Sequence, residues 1–130
     1  MSILVAGGAG YIGAHVVRLL LQRGDEVIVV DDLSYGTPER VAGADLVELD
    51  VASGGAVDAL TDVMGRRGVS AVIHFAARKQ VGESVARPAW YYQQNVGGLA
   101  NMLLAMERAG VGQMIFSSSA AVYGMPSVEV

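Results

Sequence analysis

The chain has 130 residues and a formal net charge of −4, from 13 acidic against 9 basic residues. That is long enough for one domain with a real core, and the scattered basic residues give a phosphate backbone nothing to hold, so no nucleic acid partner is expected. With no cysteine and two histidines, a disulfide framework and a thiolate metal site are excluded, and no metal is expected. The N-terminus lacks the basic region of a signal peptide and no apolar run is long enough to span a bilayer, so the expected compartment is the cytoplasm, with no membrane partner. Charged residues make up 17% of the chain, against about 25% in typical domains. Either buried parallel strands covered on both faces account for this, or some of the surface is normally covered by polypeptide outside this chain.

In chain order, Ile3–Ala6 reads as a buried strand. Ile12, Val16, Leu19 and Leu20 follow at helical spacing, with a stop at Gly24. Val27–Val30 is a β-branched second strand and Leu46–Leu49 a weaker third. Val57, Leu60, Val63 and Met64 form a second helical stripe ending near Gly65 and Gly68. Ala71–Phe75 is a fourth strand, Pro88 starts a long helix reaching about Ala109, and Gln113–Phe116 is a fifth strand. The alternation predicts an α/β fold, a doubly wound parallel sheet of order 3-2-1-4-5, forming one domain over residues 1–130. Ligands of such sheets sit beyond the carboxyl ends of the strands.

The residues at those ends carry the chemistry. Gly7, Gly10 and Gly13 follow strand one at G-x-x-G-x-x-G spacing, leaving backbone free to meet a pyrophosphate at the start of a helix. Asp31 closes strand two, with Asp32 after it. A carboxylate there either accepts hydrogen bonds from a ribose, favouring NAD over NADP, or caps the next turn. No Arg or Lys is its neighbour in sequence. Asp50 and Val51, after strand three, are placed to clasp an adenine, Asp50 by the base's exocyclic amine and Val51 by apolar packing; Asp50 is equally placed to be the N-cap of the next helix. Ser117, Ser118 and Ser119 end strand five, where hydroxyls have no packing role. His74 is expected to be a satisfied core histidine.

The run Phe75-Ala76-Ala77-Arg78-Lys79-Gln80-Val81-Gly82-Glu83-Ser84-Val85, continued by Pro88, Tyr91-Tyr92 and Asn95-Val96, together with Phe116 through Gly124, resembles the extended short-chain dehydrogenases, and within them the UDP-galactose 4-epimerase family. The resemblance covers the whole chain but only the first part of the family's length. It implies a Rossmann-like NAD-binding domain, incomplete relative to the family, whose substrate domain lies outside the chain. It also implies NAD as cofactor, a UDP-hexose as substrate, and epimerisation through a 4-keto sugar. By the same resemblance, Phe75, Ala76 and Ala77 pass beneath the cofactor pyrophosphate and ribose. Lys79 bonds the nicotinamide ribose and Asn95 sits near the cofactor. Ser117 and Ser118 lie by the nicotinamide, Ser119 is catalytic and holds the sugar 4-oxygen, and Tyr11 and Ile12 cover the phosphate loop.

The family's base is a Tyr four residues before a Lys. The residues four after Tyr11, Tyr35, Tyr91, Tyr92 and Tyr123 are His15, Glu39, Asn95, Val96 and Ser127. The motif is therefore expected past Val130, and the chain alone is expected to be inactive. A related sugar-nucleotide dehydratase or reductase and a non-catalytic NAD-binding remnant are the alternatives. An open edge at strand five and the apolar residues Leu99, Met102, Leu103 and Met106, stripped of a covering neighbour, predict a homodimer or other self-association.

Overall fold

The computed structural model describes residues 1–125. Its five strands are β1 (Ser2–Ala6), β2 (Glu26–Asp31), β3 (Asp45–Glu48), β4 (Ala71–His74) and β5 (Met114–Phe116). All neighbours pair in parallel, in the order β3-β2-β1-β4-β5. This is the sheet expected from the sequence, and it turns its carboxyl ends to one side of the molecule. Between the strands run α1 (Tyr11–Arg23), α2 (Ala56–Arg67), α3 (Val81–Ala86), α4 (Pro88–Tyr92) and α5 (Gly98–Ala109).

Strand side chains alternate between two faces, and each face has its own apolar cover. Leu4, Ile28 and Val72 pack on one side with Leu60 and Met64 of α2 and Met102 and Met106 of α5. Ile3, Val5, Val27 and Val29 pack on the other with Val17 and Leu20 of α1. Both faces of the central strands are thereby buried, the first of the two explanations for the low share of charged residues.

Two details of the apolar stripes differ from expectation. Leu19 points outward from α1, and the helix instead buries Gly13, Val17 and Leu20. The spacing fits either choice, and the sheet selects the face that carries the small Gly13. In α5, Met102 and Met106 are not left uncovered. They are buried against α2 and the sheet, and only Leu103 and Leu104 remain exposed on the outer side.

The expected long helix is also more articulated than its sequence suggests. Between α4 and α5 the backbone widens into a π turn at Gln93–Gly97, while the helical path stays continuous. Such turns often mark functional positions, since the added residue re-aims its neighbours. The short α3 was not foreseen. It is held by Tyr91, whose hydroxyl lies 2.9 Å from both the Gln80 carbonyl and the Glu83 carboxylate and accepts from the Gln80 N–H at 3.0 Å. Glu83 is thus an anchor for α4. At the sheet's edge, Ile115 and Phe116 of β5 are exposed. Among the described residues no helix is long and apolar enough to cross a membrane.

Candidate dinucleotide-binding site

The turn from β1 into α1 is built on contact between bare backbones. Gly7 N–H donates to the Val30 carbonyl at 2.8 Å. Gly7 has φ +75°, and a side chain there would meet the Ala76 backbone nitrogen at 2.7 Å. A Cβ on Gly13 would lie 2.8 Å from Gly8 Cα and closer still to the Gly7 carbonyl oxygen. The glycines therefore let β1, α1 and the exit of β4 meet with no side chain between them, and they leave the first N–H groups of α1 facing outward. Gly10 is the N-cap of that helix and contributes no side-chain cap.

Asp31 ties the next strand to this loop. Its buried carboxylate accepts from Ala9 N–H at 2.9 Å with Oδ2 and from Leu33 N–H at 2.9 Å with Oδ1. It thus caps the turn after β2 and also holds the glycine loop, with lone pairs left on both oxygens for a further donor. Gly36 completes the contact from the other side, since a Cβ there would fall 2.6 Å from Ala9 Cβ. Sequence reasoning missed Gly36, because nothing local distinguishes it from an ordinary turn glycine.

A cleft of about 950 Å³ opens above the strand ends. Gly7, Gly10, Tyr11, Ile12 and Gly13 form its floor and rim, with Tyr11 and Ile12 exposed at the start of α1. Asp31, Asp32, Asp50 and Val51 line the side of β2 and β3. Phe75, Ala76, Ala77 and Lys79 come from the exit of β4, Asn95 from the π turn, and Ser117, Ser118 and Ser119 from the end of β5. Every residue expected from the sequence to belong to the site thus lines one cavity. Among the described residues no group of metal-ligating side chains gathers.

The structure refines several of these positions. Asp50 is not the N-cap of α2, which begins at Ala56 behind Gly55. Its Oδ1 accepts from Ala52 N–H at 2.8 Å, shaping the loop instead. Val51 is mostly buried under α5, where Gly98 leaves room for it. Ser119 caps the 3-10 turn Ala120–Tyr123, its hydroxyl oxygen accepting from Ala121 N–H at 3.1 Å and its hydrogen remaining available. Asn95 does not simply face the cavity. Its amide clamps the backbone of Arg78, accepting from the N–H at 2.7 Å and donating to the carbonyl at 2.9 Å.

His74 is buried as expected, 2% exposed, but it is not satisfied: its Nδ1 has no hydrogen-bond partner. It stacks on Phe116 with ring centroids 6.0 Å apart. Burial pushes its pKa below the ordinary 6.5, the Ala76 backbone acting weakly the other way. A base whose pKa is depressed by folding is protonated more readily in the unfolded chain. Its contribution to stability is therefore complete above about pH 6.5 and is lost as pH falls from there towards the lower folded value. The urea midpoint of the parent should drop between about pH 7.5 and pH 5.5, and that drop should shrink in His74→Gln. An equal drop in both would assign it to other groups.

In the sequence Arg78 stands only as one residue of the run that carries the family resemblance, with no role of its own. In the fold it crosses the mouth of the cleft from β4 to the loop after β2. Its Nη2 pairs with Asp32, its Nη1 donates to Ser34 Oγ at 2.6 Å, and its Nε donates to Gln94 Oε1 at 3.4 Å. The guanidinium also lies against the rings of Tyr35 and Trp90, 5.6 and 5.3 Å from their centroids. No Arg or Lys adjoins Asp31 in the sequence, but the fold brings a cation to its neighbour Asp32 from 46 residues away.

A parallel sheet with a glycine turn, a carboxylate at the tip of the adjacent strand and a cleft across the switch point defines a Rossmann-type dinucleotide-binding domain. The comparisons with known proteins make the assignment narrower. The model of the NAD dependent epimerase/dehydratase family matches residues 3–129, and the chain belongs to that family. It is 49% identical over 129 residues to a UDP-glucose 4-epimerase of Erwinia amylovora, covering 95% of this chain and 38% of that relative. It superposes on the UDP-glucose 4-epimerase of Brucella ovis in complex with NAD with TM-score 0.88 and 44% identity, over 98% of this chain and 38% of that one. The enzyme of Bifidobacterium longum, solved with NAD+ and UDP, gives TM-score 0.87 and 38% identity, over 98% and 40%. The chain thus spans less than half the length of these relatives.

Proposed function

We propose that this chain is the NAD-binding part of a UDP-glucose/UDP-galactose 4-epimerase. The observation that carries the reading is that Asp31, the glycine loop and the serine run at the end of β5 all open into one cleft. The cavity of about 950 Å³ exceeds what a small metabolite needs, and its glycine floor is closed to any side chain. The α1 N–H groups would hold the phosphates, Asp31 the adenosine ribose, and Lys79 the nicotinamide ribose. When bound, NAD supplies a hydride acceptor and donor for C4 of the sugar.

On that reading Ser119 serves the sugar 4-oxygen. That oxygen alternates between alcohol and ketone, and a hydroxyl can both donate and accept. Among the 130 residues no Tyr stands four before a Lys. General acid–base catalysis is worth roughly 10²–10⁴-fold, so the chain by itself should not epimerise; spanning less than half the length of its relatives, it should hold NAD only weakly. The apolar edge of β5 favours self-association of the isolated chain.

One experiment addresses these points together. The chain is sedimented with NAD, following the nucleotide absorbance, and the same sample is assayed with UDP-galactose. Expected are NAD travelling with a species larger than a monomer and no formation of UDP-glucose. NAD left behind in the supernatant at every nucleotide concentration tried would overturn the cofactor reading. A monomeric boundary would overturn the self-association, and conversion of the sugar would overturn the assigned inactivity.

A further inference from the structure

The end of β2 presents two adjacent carboxylates to the cleft. Asp31 is committed to the backbone of Ala9 and Leu33. Asp32 is not needed there. Its Oδ1 accepts from the Ser34 backbone N–H at 3.0 Å, and its other oxygen meets Arg78. Burial alone would raise its pKa, but the Ser34 bonds and the Arg78 charge outweigh that and hold Asp32 below the ordinary carboxylate value. It is therefore a negative charge on the wall of the cleft, beside Asp31 and facing the space assigned above to the nucleotide. The Asp32 and Arg78 side chains are only 27% and 14% exposed, so solvent screens neither of them completely.

Arg78 is held at both its side chain and its backbone. Each guanidinium nitrogen has a partner, Tyr35 and Trp90 confine the group, and Asn95 clamps its backbone. The loop that it fastens contains Leu33 at φ +57°, a left-handed conformation costly for a branched side chain. A cation locked in this way is withheld from the cofactor.

We propose that the Asp32–Arg78 pair is a charge-balanced selectivity element for the dinucleotide: Arg78 cancels the repulsion that a second carboxylate exerts on the phosphates, and Asp32 keeps the guanidinium from receiving a 2′-phosphate. The inference rests on the reading of the cleft as a dinucleotide site. Asn95, through its hold on Arg78, is a positioning residue for the pair. An ion pair that served only the fold would alter stability and leave the preference between NAD and NADP where it was.

The test is a titration of the chain and its variants with NAD and with NADP at low salt. Asp32→Asn should shift the affinity ratio towards NADP by about tenfold, because the freed guanidinium can meet the extra phosphate. Arg78→Met should weaken NAD by about tenfold, and the loss should shrink as salt is raised. Arg78→Lys, which keeps the charge and is the gentler change, should lose much less than Arg78→Met. The double variant Asp32→Asn/Arg78→Met should recover most of the Arg78→Met loss. An affinity ratio unmoved by Asp32→Asn overturns the inference, as does a double variant or an Arg78→Lys protein as weak as Arg78→Met. Those results are distinguishable from failure of the cofactor reading itself, in which the parent chain takes up neither nucleotide.

Discussion

Gly13→Ala is expected to lower the stability of the chain by about 1–3 kcal/mol, the usual cost of forcing atoms into a filled site, and to remove measurable NAD binding. The methyl group would fall on the Gly7 carbonyl oxygen and on Gly8 Cα, and both are main-chain atoms. Main chain can yield only by moving the loop, and this loop is pinned at Gly7 to Val30 and at Ala9 to Asp31. The remaining escape is to lift the start of α1 off β1, which moves the same N–H groups that would meet the phosphates. Urea denaturation gives the first quantity and an NAD titration the second. Gly65→Ala in α2 is the control. A Cβ there meets nothing within 4 Å, so that change should stabilise by about 0.5–1 kcal/mol through helix propensity alone. A Gly13→Ala protein that unfolds with the parent would show that the two backbones are not in close contact.

The sheet was readable from the sequence because its signals are local. Short β-branched runs, glycine spacing and helical stripes each lie within a few residues, and the right-handed crossover rule leaves few orders for five parallel strands. The cleft was readable for a related reason. In such a sheet every residue that follows a strand is delivered to the same edge, so Asp31, Asp50, Ala76 and Ser117 converge without any knowledge of packing.

Positions set by long-range contact or by a change of helical register were hidden. The role of Arg78 depends on partners from two other elements, one of them placed by a π turn that no pattern in Gln93–Gly97 announces. Leu19 and Leu103 fit the helical spacing as well as their buried neighbours do, and only the surface facing each helix decides between them. The orphaned Nδ1 of His74 likewise follows from what surrounds it, since alternation along β4 predicts burial but no hydrogen-bond partner.

Asp31→Ala is the second change expected to have a large effect, and its two consequences separate. The first is structural. Hydrogen bonds to charged groups are worth about 1.5–3 kcal/mol each, and the substitution removes two of them. It also leaves the N–H of fully buried Ala9 without an acceptor and frees the loop that holds Leu33 in its left-handed conformation. A loss of about 3 kcal/mol or more follows, enough to unfold a marginal domain. Asp31→Asn isolates the second consequence. Its amide oxygen still accepts from buried Ala9, while its NH2 gives up the bond from the more exposed Leu33 N–H, so this variant keeps more of the fold than Asp31→Ala; the charge is gone and one acceptor has become a donor. Its affinity for NAD should fall by roughly tenfold, the lower end of a charged hydrogen bond. Circular dichroism identifies which variant remains folded, and calorimetric titration of the folded one reads the binding. If Asp31→Asn is folded and takes up NAD as tightly as the parent, the carboxylate serves only to join the two loops, and the ribose is held by some other group in the cleft.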